Sequence, residues 1–93
     1  MSTLGRIRRR ILDGDYFVTA HMSEVSMPDD GLVTEDVENA ILKGRVASKI
    51  TGDPAGTRYM VRGPALDGTE IEVVCRFSSG DLVLITVYLV EEE

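Results

Sequence analysis

The sequence predicts an α+β fold, with N-terminal helices packed on one face of a four-stranded antiparallel sheet. Two observations carry that expectation. Apolar residues recur at helical spacing up to Gly44 and at a spacing of two thereafter. The second half is also broken at short intervals by Gly52-Asp53-Pro54-Ala55-Gly56, Pro64-Ala65-Leu66-Asp67-Gly68 and Ser78-Ser79-Gly80-Asp81, turn-like connections that suit a meander of neighbouring strands. Helices first and strands after is the order of an α+β domain. At 93 residues the chain has room for one core, so residues 1–93 are read as a single domain.

The first helix falls within residues 1–15. Leu4, Ile7 and Ile11 share one face, Arg6, Arg8, Arg9 and Arg10 spread around the rest, and Asp13-Gly14-Asp15 ends it. Residues 16–44 form the second helical part. Tyr16-Phe17-Val18-Thr19 is an extended lead-in, and Thr19 caps a short turn carrying His21, Met22 and Val25. Pro28 limits that turn, because proline has no N–H to donate and biases its predecessor away from helix. The clearest helix begins at Thr34, read as its N-cap. Glu35, Asp36 and Glu38 suit the positive end of its dipole, Val37, Ala40 and Ile41 make its apolar face, and Lys43-Gly44 closes it. Residues 45–90 are the sheet, with strands at 46–51, 57–62, 70–77 and 82–90, and residues 91–93 are an acidic tail.

Composition narrows the function. Hydrophobic residues make up 43% of the chain and charged residues 28%, globular rather than disordered values. A domain this small buries only about 60% of its unfolded surface, so a partner protein or a homodimer would add stability. The net charge of −6 argues against a protein held on nucleic acid by a broad cationic surface. From Gly44 to Thr86, however, Arg45, Lys49, Arg58, Arg62 and Arg76 balance Asp53, Asp67, Glu70, Glu72 and Asp81, and the acid excess lies earlier, between Asp13 and Glu38. The lone Cys75 leaves no intramolecular disulfide, and a reducing compartment, the cytoplasm, is expected. The arginine-rich start is not followed by the apolar run of a signal peptide, and nothing approaches a membrane span. No cofactor or metal is expected. The chain matches neither a P-loop nor a dinucleotide fingerprint, and one histidine with one cysteine is a poor zinc set.

Alternation sorts the strand residues into two faces. Tyr59 and Val61, then Ile71, Val73, Cys75 and Phe77, then Val83, Ile85, Val87 and Leu89 are expected on the core face. Cys75 there is a small buried hydrophobe rather than a nucleophile. The opposite face receives Arg58, Met60 and Arg62, then Glu70, Glu72, Val74 and Arg76, then Leu84, Thr86 and Tyr88. Such a face suits a phosphodiester. Arginine forks match phosphate oxygens, and a metal-free ribonuclease needs a base for the 2′-hydroxyl, cations for the charge growing at phosphorus and an acid for the departing 5′-oxygen. Glu72 is the candidate base and His21 the candidate acid, or the reverse, with Arg58, Arg62 and Arg76 on phosphate and Tyr88 stacking on a base. The same residues also read as arginine–glutamate pairs on a solvated sheet, and His21 as a structural histidine.

One further pattern joins these residues. Tyr16 through His21-Met22, Gly31-Leu32-Val33-Thr34-Glu35-Asp36-Val37, Ala40-Ile41-Leu42-Lys43-Gly44, Arg58-Tyr59, Asp67-Gly68 and Ile85-Thr86-Val87-Tyr88 stand in an order that resembles the domain-of-unknown-function family 4258. That family is similar to the compact RelE and barnase-like α+β ribonucleases, and many of its members look like toxins encoded beside a zinc-finger antitoxin. The resemblance implies an RNA-cleaving role for His21, Arg58, Thr86 and Tyr88, an RNA substrate and an antitoxin partner. Where it leads one to expect a histidine in the third strand, before Val73-Val74, this chain has Glu72. The expected function is a metal-independent RNA endonuclease toxin, and the alternative is a non-catalytic protein-binding module of the same fold.

Overall fold

The protein is described from a computed structural model over residues 1–91, so Glu92 and Glu93 of the expected acidic tail lie outside the described residues. The elements in chain order are α1 (Thr3–Leu12), β1 (Phe17–Val18), a π-helical turn (Met22–Ser26) running into α2 (Met27–Asp29), α3 (Thr34–Lys43), β2 (Arg45–Ile50), β3 (Arg58–Pro64), β4 (Glu70–Ser78) and β5 (Asp81–Leu89). The α+β class stands, but the sheet corrects the expectation of four antiparallel strands. It has five, in the order β1-β5-β4-β3-β2, with β1 parallel to β5 and the other pairs antiparallel. The lead-in at Phe17–Val18 is thus an edge strand, paired to Val83 and Leu84.

Helix α1 starts at Ser2, whose hydroxyl accepts from the Gly5 N–H, and it buries Ile7 and Ile11. Its arginines are largely committed to the fold. Arg6 lies 4.5 Å over the Phe77 ring, Arg10 donates to the Gly80 carbonyl at 2.7 Å, and Arg8 donates to the carbonyls of Ile41 and Gly44 at the end of α3. A cation at that place answers the orphan carbonyls and the negative end of the helix dipole.

Thr34 is the first residue of α3, not its cap. The capping position is Val33, and Asp36 reaches back from the first turn, accepting the Val33 N–H on one oxygen and the Leu66 N–H on the other, each at 3.0 Å. That side chain joins the start of the helix to the β3–β4 turn.

The core lies between the helices and one face of the sheet. Ile7, Ile11, Met22, Val37, Ala40 and Ile41 meet Val61, Ile71, Val73, Cys75, Leu82, Leu84 and Val87. Full burial of an Ile, Leu or Val side chain contributes about 1.5–3 kcal/mol. In β5 the expected alternation fails. Val74 pairs Thr86 and Cys75 pairs Leu84, so Ile85 is an extra, bulged residue. Leu82 and Leu84 therefore face the core, whereas Val83 and Ile85 do not belong to it. Val87 stays inside, and Leu89 is 39% exposed.

Candidate functional site

The open face is built in rows across the strands. Arg45, Arg62, Glu72 and Tyr88 are successive Cα partners on β2, β3, β4 and β5. The next row is Ser48, Met60, Val74 and Thr86. Beyond it Ile50 pairs Arg58 and Arg76 pairs Val83, with Arg58 and Arg76 opposite each other by extension of the β3–β4 register. The buried residues of α1 and α3 all belong to the core cluster on the other side, so neither helix covers these rows, in which Glu72, Met60 and Val74 are nonetheless buried.

The first row is tied through Glu72, which is only 4% exposed. Arg62 donates from Nε (3.0 Å) and Nη2 (2.7 Å) to Oε2, and the Tyr88 hydroxyl donates to Oε1 at 2.6 Å. Burial pushes the Glu72 carboxyl up, but the Tyr88 hydroxyl and the Arg62 guanidinium outweigh it and hold it below the ordinary glutamate range. In return, burial and the neighbouring carboxylate push the Tyr88 hydroxyl up to about 12. A carboxylate with both oxygens engaged and a lowered pKa is a poor proton acceptor. Its geometry is that of a residue that fixes Arg62 and Tyr88.

Two rows away the balance of charge is different. Arg58 lies 3.2 Å from Asp53, and no carboxylate pairs with Arg76 among the described residues. The Nε donors of both arginines are buried without an acceptor. Leaving a buried donor unmatched costs about 1–3 kcal/mol.

The helical edge reaches this face through Thr86. Thr19 caps the turn as expected, accepting the Met22 N–H at 3.2 Å while its hydroxyl donates to the Ile85 carbonyl at 2.6 Å. Ser26, at the end of the π turn, shares a 2.7 Å hydrogen bond with the Thr86 hydroxyl. Pro28 does not stop the helix where the sequence suggests. The turn widens to the π form before it and continues into α2, which makes room for a ring that would collide with the i−4 carbonyl of a regular helix. His21 stands just before that turn, exposed, with no side-chain hydrogen bond among the described residues.

The structure therefore brings Arg62, Glu72 and Tyr88 into direct contact, sets Arg58 beside Arg76, and engages Thr86 with Ser26. It joins His21 to none of them by a hydrogen bond. Cys75 lies in the core, where burial pushes its thiol up to about 12. Sequence reasoning missed Arg45, the fourth member of the first row, and Ser26. Arg45 was legible as the second of two cations flanking the helix-ending Gly44, whereas Ser26 depends on the π turn. No three His, Cys, Asp or Glu side chains converge as metal ligands among the described residues, and no helix there is long and apolar enough to cross a membrane.

No curated protein and no solved structure is similar enough to report. A family model described as "Domain of unknown function (DUF4258)" matches residues 18–89, a stretch that runs from β1 to the end of β5 and contains every residue of the rows above. The chain belongs to the domain-of-unknown-function family 4258.

Proposed function

We propose that the chain is a metal-independent RNA endonuclease of the RelE and barnase-like kind, acting as the toxin of a toxin–antitoxin pair from the cytoplasm. The observation that supports it best is the pair Arg58 and Arg76, register neighbours on β3 and β4, of which Arg58 meets Asp53 and Arg76 meets no carboxylate among the described residues. An RNA phosphate supplies the negative charge that this pair lacks, through guanidinium nitrogens other than the buried Nε atoms. In this reading Arg58, Arg62 and Arg76 lie on phosphates of the strand, those at the scissile one stabilising the charge that grows at phosphorus, and Thr86 adds a hydroxyl to the same face. The 2′-oxygen attacks phosphorus as His21 takes its proton, and the 5′-oxygen leaves with the proton of Tyr88. Glu72 is the positioning residue that holds Arg62 and Tyr88, a different role from the direct base that its residue type suggests.

The experiment is incubation of the full chain with a long single-stranded RNA in EDTA. Discrete cuts ending in a 2′,3′-cyclic phosphate are expected, reduced at least 100-fold in His21→Ala and in Tyr88→Phe, the range of general acid–base catalysis. Intact RNA, or equal cutting by all three proteins, overturns the reading.

A second reading, a protein-binding module without catalysis, draws on the outer edge of the sheet. Strand β2 is an edge strand, nearly all of it exposed, with Ile50 51% exposed at its end. An extended segment of a partner, an antitoxin or a second copy, adds to such an edge by backbone hydrogen bonds. Uncut RNA together with concentration-dependent association in sedimentation supports this reading over the first.

A further inference from the structure

At the end of the first row, where α3 gives way to β2, a cleft of about 330 Å³ opens. Its walls carry Lys43, Arg45, Arg62 and Glu70, and its floor is backbone at Gly44 and Gly63. A Cβ at either glycine would lie within 2.2 Å of a carbonyl oxygen, Arg62 O for Gly44 and Ala40 O for Gly63. Close packing of α3 against β3 thus demands glycine at both places, which lie side by side in the lining of the cleft.

Charge is unbalanced here. Arg45 and Arg62 are direct Cα partners, and like charges facing each other across a strand pair repel. Arg62 is held by Glu72 through Nε and Nη2, which leaves Nη1 outside that contact. Arg45 has only a 3.9 Å approach to Glu70, and Lys43 forms no ion pair among the described residues. The helix C-terminus would oppose an anion at this point, but the Ile41 and Gly44 carbonyls are already taken by Arg8. Three cations thus meet two carboxylates, Glu70 in the wall and Glu72 on Arg62, which leaves one positive charge in excess around a hollow on a chain whose net charge is −6.

We infer that this cleft is a binding site for the phosphate of a single nucleotide unit, seated between Arg45, Arg62 and Lys43. The volume lies at the lower end of small-ligand sites, about 300–1,000 Å³, which suits one nucleotide. Arg62 belongs to both the cleft and the row that ends in Tyr88. The cleft therefore takes a neighbouring nucleotide of the strand whose scissile phosphate lies further along the same face, and in that respect the inference rests on the RNA reading.

The test is an amide-resolved NMR titration of the ¹⁵N-labelled full chain with adenosine 5′-monophosphate, inorganic phosphate and adenosine in turn. Saturable shifts at Gly44, Arg45 and Gly63 are expected with the nucleotide, weaker ones with phosphate and none with adenosine. Arg45→Glu and, separately, Lys43→Glu are expected to weaken nucleotide binding about tenfold or more, each variant first shown to keep the wild-type amide dispersion. Absence of saturable shifts, shifts equal in the charge-reversal variants, or equal shifts with adenosine overturn the inference. Nucleotide binding here with RNA left intact keeps the cleft and removes the nuclease, whereas cut RNA with no shifts at these amides does the opposite.

Discussion

Glu72 shows how burial and partners compete at one side chain. Burial alone would keep a carboxyl protonated, yet the Tyr88 hydroxyl and the Arg62 guanidinium win and keep it ionised. The sign of the resulting pH dependence follows. A carboxyl whose folded pKa lies below its unfolded one contributes stability that is complete above the unfolded value and is lost as pH falls through the folded one. Urea midpoints of the wild type are therefore expected to drop on acidification below about pH 4.3, the ordinary glutamate value. Glu72→Gln is expected to be less stable at pH 7 by about 1–3 kcal/mol and to lose the part of the acid slope that this residue supplies. Parallel slopes in the two proteins would show that the carboxylate is not what the row stores. The contact itself was half legible. Alternation places Arg62, Glu72 and Tyr88 on one face, but only the register shows them side by side, and only the surrounding packing shows that Glu72 is buried.

Among the elements, α3 and the β3–β4 and β4–β5 hairpins were readable because strong periodicity is bounded there by turn residues. Strand β5 was not. Leu82 to Val90 is apolar at nearly every position, so either parity fits, and the bulge at Ile85 lets both hold: Leu82 and Leu84 point inward before it and Val87 after it. Without that extra residue Thr86 and Tyr88 would keep the parity of Leu84 and face the core, so the bulge is what gives the open face its hydroxyls. Strand β1 was hidden by its length of two residues, and the π turn by the fact that backbone hydrogen-bond register leaves no hydrophobic pattern. Docking of α3 on β3 depends on glycine at position 63, where a Cβ would lie 2.1 Å from the Ala40 carbonyl oxygen. Gly63→Ala is expected to cost about 2–3 kcal/mol by overpacking, a fall of roughly 10–20 °C in Tm, measured by circular dichroism. A fall under about 3 °C would mean that the helix slides on the sheet.

For the whole molecule, charge placement matters more than charge total. Arginines of α1 are engaged by Phe77, by the end of α3 and by Gly80, so the cations left for a ligand are those of the sheet and Lys43 at the end of α3. Three phosphates neutralised by Arg58, Arg62 and Arg76 would give a slope of about −2 in log affinity against log salt for single-stranded RNA, made shallower by about 0.7 in Arg76→Ala. Fluorescence anisotropy between 50 and 200 mM salt, roughly the range over which such losses are large, measures it, and a slope near zero would leave the arginines without a phosphate role. Helix α1 lies before the family match at 18–89, yet Ile7 and Ile11 are inside the core. The parallel pairing of β1 with β5 has one more consequence. Phe17 finds its partner in Val83, and the Thr19 N–H in the Leu84 carbonyl, so this stretch waits for the synthesis of residues more than sixty positions further on. Tyr88 comes later still. A ribosome making this chain holds it with the arginine row unfinished and the His21 segment unanchored until β5 has left the exit tunnel, so whatever the face does begins only once that strand is free to pair.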